Sequence, residues 1–319
     1  MTLRRSLLAA TAAALAAPRG AGAQTGWQPT RPIQLVLGFA AGGGSDVIAR
    51  TIVAGCQHLY PQPLVILNRP GAGGTLAAQQ VAAAPPDGYI LLLAGGSEST
   101  SVPAHREVPY DPKRSFTPII RLTRHNQFIC VRGDGPYQSL ADIVAAARAN
   151  PGRIGHGSSG VGTLAHSLAL MFGRQAGVRF RHVPYQGGAP ALQALVAGQI
   201  DFTVGGPDEM RGLVEAGRLR ILGVASTERA PGFAEVATMR EQGFDVLVEN
   251  MKGWVGPAGM PPEIVAYHHS RMREGMSSRA WRDFIARVQE RDGYLDGAAF
   301  QQAMDTLLDE IRTALLAAG

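Results

Sequence analysis

The apolar positions of the chain fall into short runs separated by glycine-bearing turns, and the runs alternate between strand-like and helix-like spacing. Ile33–Leu37 has the length of a buried strand, and residues 38–44 behind it read as a glycine-rich turn. Ser45 and Asp46 are helix-capping residue types, and Val47, Ile48, Thr51, Ile52 and Leu59 lay an apolar stripe along the helix expected to follow. The alternation continues with a strand over 64–67, a loop over 68–74, a helix over 75–83, a turn over 85–88 and a strand over 89–94. A proline-rich irregular stretch, 102–118, leads into an extended segment over 119–131 that is long enough to cross between domains. The pattern then restarts. Helices are expected over 140–148, 163–176, 191–197 and 209–216, and strands over 153–154, 178–183, 200–204 and 219–225. Residues 244–249 read as a second crossing, and 262–316 as mostly helical. Strands and helices alternating through short loops predict an α/β fold with parallel sheets covered on both faces. The restart predicts two lobes joined by two crossing strands, one lobe formed by 24–125 and 250–319 and the other by 126–249.

Composition narrows the class. The 319 residues are 45% hydrophobic and 17% charged, without an apolar run near the roughly 20 residues of a membrane-spanning helix, so a folded, non-membrane body is expected. Arg4 and Arg5, an apolar stretch over 7–17 and Ala21-Gly22-Ala23 have the form of a secretory leader cleaved after Ala23, which makes periplasmic export the expectation. The paired arginines also permit a twin-arginine route. Removing Arg4, Arg5 and Arg19 lowers the formal charge from +5 to +2, too little to imply nucleic acid as a partner. Cys56 and Cys130 are expected to be unpaired, because Cys56 sits among Val53, Ala54 and Leu59, where a buried thiol fits. No zinc-binding spacing is present, and neither a metal nor a cofactor is expected.

Chemistry concentrates in the glycine-bearing loops. Ala41-Gly42-Gly43-Gly44-Ser45-Asp46 places backbone N–H groups at a helix N-terminus, where unpaired donors and the helix dipole favour an anion. No lysine follows these glycines, which excludes a Walker phosphate loop. Residues 155–163, Gly-His-Gly-Ser-Ser-Gly-Val-Gly-Thr, repeat the device in the second lobe and contain G-x-G-x-x-G. The preceding strand is short, however, and no acidic residue stands about 20 positions on. Arg179 and Arg181 could receive a 2′-phosphate, which leaves an exported NADP-dependent oxidoreductase as an alternative. Residues 68–75 and the aromatic-bearing turn His182-Val183-Pro184-Tyr185-Gln186-Gly187-Gly188 complete a set of four loops. Together they suggest a cleft lined with hydroxyls and backbone N–H groups.

These loops, with Pro86-Asp87-Gly88-Tyr89, Tyr110-Asp111-Pro112, Gly198-Gln199-Ile200-Asp201, Thr238-Met239-Arg240-Glu241-Gln242-Gly243 and Pro257-Ala258-Gly259-Met260-Pro261, occur in the order seen in one family. From Pro32 onward the chain resembles the Bug-type extracytoplasmic substrate-binding proteins of tripartite tricarboxylate transporters. The resemblance implies a type II periplasmic-binding-protein fold that closes on a small carboxylated ligand: a dicarboxylate, a tricarboxylate, an acidic amino acid or an aromatic acid. It also implies no catalysis, a monomer, and two integral membrane subunits as partners, with ligand sensing without transport as a further alternative. By position, the ligand contacts would be Gly43, Gly44, Ser45, Asp46, Gly73, Ser97, Ser158, Ser159, Thr163 and Tyr185. A dicarboxylate would suit two facing helix N-termini, with Asp46 selecting an amino or hydroxyl substituent. The chain departs from the family pattern at Leu67, where an acidic residue is usual, at Gly38 and Ala41, where prolines are common, and at Met251, where an aromatic is common.

Overall fold

Ile33, Leu35 and Leu37 share one face of the first strand and Val36 the other, and each face is buried under its own layer of helices, as the two-residue period of a strand requires. The computed structural model describes residues 26–289 and 293–316. The expected leader and its cleavage point lie outside the described residues. The chain runs β1 (Ile33–Leu37), α1 (Gly44–Cys56), β2 (Leu64–Asn68), α2 (Thr75–Ala82), β3 (Ile90–Ala94), α3 (Ser101–His105) and β4 (Phe116–His125). It continues through β5 (Phe128–Arg132), α4 (Leu140–Ala149), β6 (Gly155–Ser158), α5 (Leu164–Ala176), β7 (Arg181–Pro184), α6 (Gly188–Val196), β8 (Phe202–Gly205), α7 (Pro207–Glu215) and β9 (Leu219–Val224). It closes with β10 (Asn250–Pro257), α8 (Pro262–Gly275), α9 (Arg279–Val288), β11 (Leu295–Asp296) and α10 (Gly297–Leu316).

Two sheets result, in the orders β11-β4-β10-β3-β1-β2 and β7-β6-β8-β5-β9. In the first, β1 pairs in parallel with β2 (Ile33 opposite Leu64) and with β3, while β10 runs antiparallel to both β3 and β4. In the second, β6 is parallel to β7 and β8, and β5 is antiparallel to β8 and β9. The sheets are therefore mixed rather than parallel throughout, because the strand that enters or leaves each lobe runs against its neighbours. Each sheet carries its own helices, so the chain forms two α/β lobes.

The first crossing occurs at Asn126 and Gln127, between β4 in one sheet and β5 in the other. The second differs from expectation: residues 244–249 are irregular, and the strand begins only at Asn250. A short helix, α3, interrupts the expected irregular stretch despite Pro103. The strand expected at Arg153-Ile154 lies instead at Gly155–Ser158, where its glycines had suggested a loop. The helices agree more closely, α4 carrying a capping box in which Ser139 and Asp142 exchange hydrogen bonds. Cys56 and Cys130 are free and buried, and desolvation pushes each thiol up to about 12.

Candidate functional site

The strand ends β1, β7 and β8 deliver three helix N-termini to one cleft between the sheets. Gly43 caps α1 through its extended backbone, without side-chain help, so Ser45 and Asp46 lie inside the first helical turn rather than at its cap. Gly206 precedes α7 in the same way, while Gly187 precedes α6 at φ +148°, a conformation that favours glycine. A cavity of about 60 Å³ lies among them, walled on one side by Phe39, Gly43, Gly44, Ser45, Ser97, Asn250 and Lys252 and on the other by Gln127, Ser159, Gly188 and Glu209. A groove of about 290 Å³ continues from it between the loops 71–74 and 159–161, with Phe39 and Ser159 lining both spaces.

The structure divides the residues that sequence singled out. Gly43, Gly44, Ser45, Ser97 and Ser159 line the cavity together. Gly73 and Tyr185 line the adjoining groove. Asp46, Ser158 and Thr163 have their polar atoms engaged inside the loops. The Asp46 carboxylate accepts from the Gly42 N–H (3.0 Å) and from the Arg50 guanidinium (2.8 and 3.0 Å). Burial pushes the Asp46 carboxyl upward, but hydrogen bonds from Arg50, Gly42 and Asn68 and the charge of Arg50 outweigh it and hold the group below its ordinary value. Ser158 Oγ bridges the Gly160 backbone and His182 Nε2 (2.6 Å), and Thr163 Oγ1 donates to the Gly160 carbonyl.

Several polar residues at the cleft escaped the sequence reading. Glu209 Oε1 accepts from the Gly44 N–H at 2.7 Å, so a carboxylate from α7 reaches the N-terminus of α1 in the opposite lobe. A Cβ on Gly188 would collide with both Glu209 oxygens, so only glycine at the start of α6 lets the carboxylate lie there. Lys252, one of two lysines beyond the leader, is 5% exposed and faces the cavity from β10. Its ammonium lies 5.3 Å from the centre of the Phe39 ring and 2.5 Å from where a Cβ on Gly96 would sit. Buried Glu98 leaves Oε2 without a hydrogen bond beside the same glycine, and Asn250 Oδ1 is likewise unpartnered. A lysine in an otherwise apolar run was the one available signal. Glu209 gave none, being 165 positions from its partner.

Behind the second glycine loop, four imidazoles form a row. Ring centres lie 5.6 Å apart from His105 to His166, 3.9 Å from His166 to His182 and 5.6 Å from His182 to His156. Burial, then the charges of His182 and His105, lowers His166 to about 3, and burial lowers the other three. His166 Nδ1 accepts from the Gly162 N–H (3.0 Å), which ties the row to the loop. Among the described residues no cluster of His, Cys, Asp and Glu has the arrangement of a metal site. Gly155 and Gly157 are strand residues of β6, so the G-x-G-x-x-G run does not form the strand-to-helix turn that a dinucleotide needs.

Residues 48–312 match the family described as the tripartite tricarboxylate transporter family receptor. The chain is 32% identical over 313 residues to the UPF0065 protein in the gbd 5′ region of Cupriavidus necator, covering 96% of this chain and 94% of that one. Among solved structures, the periplasmic binding protein BugD superposes with a TM-score of 0.85 at 27% identity, over 91% of this chain and 98% of that chain. MatC of Rhodopseudomonas palustris, solved with bound malate, gives 0.84 at 28% identity over 90% and 99%.

Proposed function

Since the chain belongs to the tripartite tricarboxylate transporter receptor family, a family of solute receptors and not enzymes, we propose that it carries a small carboxylated solute in the cleft between its two sheets and delivers it to the membrane subunits of such a transporter. The observation that carries this reading is the cleft itself. Helix N-termini from both lobes and the Lys252 ammonium converge on a cavity lined with small hydroxyls. The dicarboxylate held by MatC supports the ligand class. Ser45, Ser97 and Ser159 act as neutral donors, and Gly73 and Tyr185 serve the part of the ligand that extends into the groove. Asp46, Ser158 and Thr163 act by holding their loops in shape. On this reading residues 1–23 are a leader removed on export to the periplasm, and the mature protein acts there as a monomer. No helix among the described residues is long and apolar enough to cross a membrane.

The test is a thermal-unfolding screen against succinate, malate, citrate, aspartate, glutamate and benzoate, with glucose and NADPH as controls. A ligand present at one hundred times its Kd stabilises the folded state by about 2.7 kcal/mol. The expected result is a rise in melting temperature with at least one acid and with neither control. Stabilisation by NADPH or by sugar, with silence from every acid, would defeat the assignment.

A further inference from the structure

We propose that His105 and His166 form an acid-operated catch between the lobes, closed while both imidazoles are neutral and opened when either takes up a proton. The catch lies where α3 of the first lobe packs on α5 of the second. Gly162, at φ +75°, brings the second glycine loop against α3, since a Cβ built there would lie 3.4 Å from the Cβ of His105. Across this seam the rings of His105 and His166 stack with centres 5.6 Å apart and planes at 21°.

The hydrogen bonds fix which ring nitrogens carry protons. Ser101 Oγ donates to the Gly162 carbonyl (2.7 Å), so toward Ser167 Oγ (2.5 Å) it accepts. Ser167 Oγ has then given its own proton and accepts from His105 Nε2 (2.7 Å), which leaves His105 Nδ1 bare. On the facing ring, His166 Nδ1 accepts from the Gly162 N–H (3.0 Å), so a proton arriving there would set two donors against each other. A proton on His105 Nδ1 would place a cation against the stacked ring of His166.

The groups around the seam offer that charge no counter-ion. Among the described residues no carboxylate hydrogen-bonds or ion-pairs with His105, His166, His182 or His156. The facing groups are His182 of β7, with buried His156 of β6 behind it, and Arg174 of α5. From α10, Arg312 donates to the Pro103 carbonyl and keeps Asp309 beside it at 4.0 Å, while Arg106, next to the catch, turns to the Ala72 carbonyl. Burial and the charge of Arg174 lower His105, and burial with the charges of His182 and His105 lowers His166 to about 3. Parting the lobes wets both rings and returns them toward 6.5, so acid favours parting, by about tenfold per imidazole for each pH unit below that value. Release of a bound solute by acid is the consequence, and it rests on the receptor reading, whereas the catch itself does not.

The experiment is small-angle scattering on the full chain without ligand at pH 7.5 and 5.5, with circular dichroism to separate parting of the lobes from unfolding. The radius of gyration of the parent protein is expected to rise at pH 5.5 with its dichroism unchanged. The double variant His105→Gln, His166→Asn cannot titrate at the seam but keeps a donor for Ser167 and an acceptor for the Gly162 N–H. It is expected to hold the same radius at both pH values. A parent radius that does not change, a rise that comes with loss of dichroism, or an equal rise in the variant would overturn the proposal. Should the variant not fold, the ring nitrogen chemical shifts of the parent decide. Protonation of His105 or His166 with the midpoint of the radius change supports the catch, and protonation at any other midpoint, or none, refutes it. Since no ligand is present, either outcome leaves the carboxylate reading to its own screen.

Discussion

Asp46 and Glu209 are both acidic residues at the mouth of α1, and their neighbours give them opposite roles. Asp46 is 4% exposed, and its oxygens are used by Gly42 and by Arg50, four residues on along the same helix. Replacing it with alanine should cost about 1–3 kcal/mol in urea unfolding, the scale for leaving buried partners unsatisfied. The sign with pH follows from its lowered carboxyl: the contribution is present above the unfolded value near 3.8 and fades as pH falls below it. An alanine variant as stable as the parent would show that the loop does not depend on this carboxylate. The family resemblance put Asp46 among the ligand contacts by its position. The arginine at the i+4 position was the local sign that its charge would be spent within the helix. Lys252 and Glu209 were not legible in the same way, since their importance comes from β10 and α7 converging on one cavity across the fold. Gly188→Ala tests that convergence. The added methyl group would drive Glu209 from its position, so altered ligand affinity with near-native stability is expected, and unchanged affinity would separate Glu209 from the site.

Helices announced themselves through apolar stripes and caps, as in the capping box of α4, whereas β6 was hidden because its four residues, Gly-His-Gly-Ser, carry no apolar run. Its strand conformation comes from pairing with β7 and β8, a tertiary cause invisible to local pattern. The row of imidazoles has the same origin, drawing on α3, β6, α5 and β7. It yields a pH prediction. Histidines whose folded values are depressed contribute stability that is complete above the unfolded value near 6.5 and is lost as pH falls toward the folded value. His166, lowered to about 3 by burial and by its neighbours' charges, and fully buried His268, lowered to about 4 chiefly by burial, set the window between 6.5 and those values. For His268 alone, acidification from pH 6.5 to 5 removes on the order of 2 kcal/mol. Urea unfolding should therefore show a marked loss of stability between pH 7 and 5, reduced when His166 is replaced by asparagine. A flat profile over that range would mean the imidazoles are not held neutral by their surroundings.

In the whole molecule the two lobes are held together by polar contacts on either side of the cavity. Glu209 meets Gly44 on one side. On the other, Ser97 Oγ accepts from the Leu164 N–H (3.0 Å), Ser101 Oγ donates to the Gly162 carbonyl (2.7 Å) and His105 lies 2.7 Å from Ser167. A ligand that touches both walls favours this closed arrangement by its differential affinity for it, so small-angle scattering should report compaction when an acid binds. Replacing Ser159 with alanine, which removes a hydroxyl from the second lobe's wall, should weaken binding by about 0.5–1.5 kcal/mol and leave the empty protein near-native in stability. The two-lobed plan could be read in the sequence because its strand-helix grammar restarts after a crossing segment. The mixed strand directions could not, because the direction of a returning strand is set by which edge it joins. The most direct measurement is native mass spectrometry of the protein taken rapidly from the cells that make it, followed by identification of whatever it releases on denaturation. A small organic acid bound one to one is the expected result, whereas a released sugar or nucleotide, or a protein that is empty and stays empty when offered the acid panel, would contradict a carboxylate receptor.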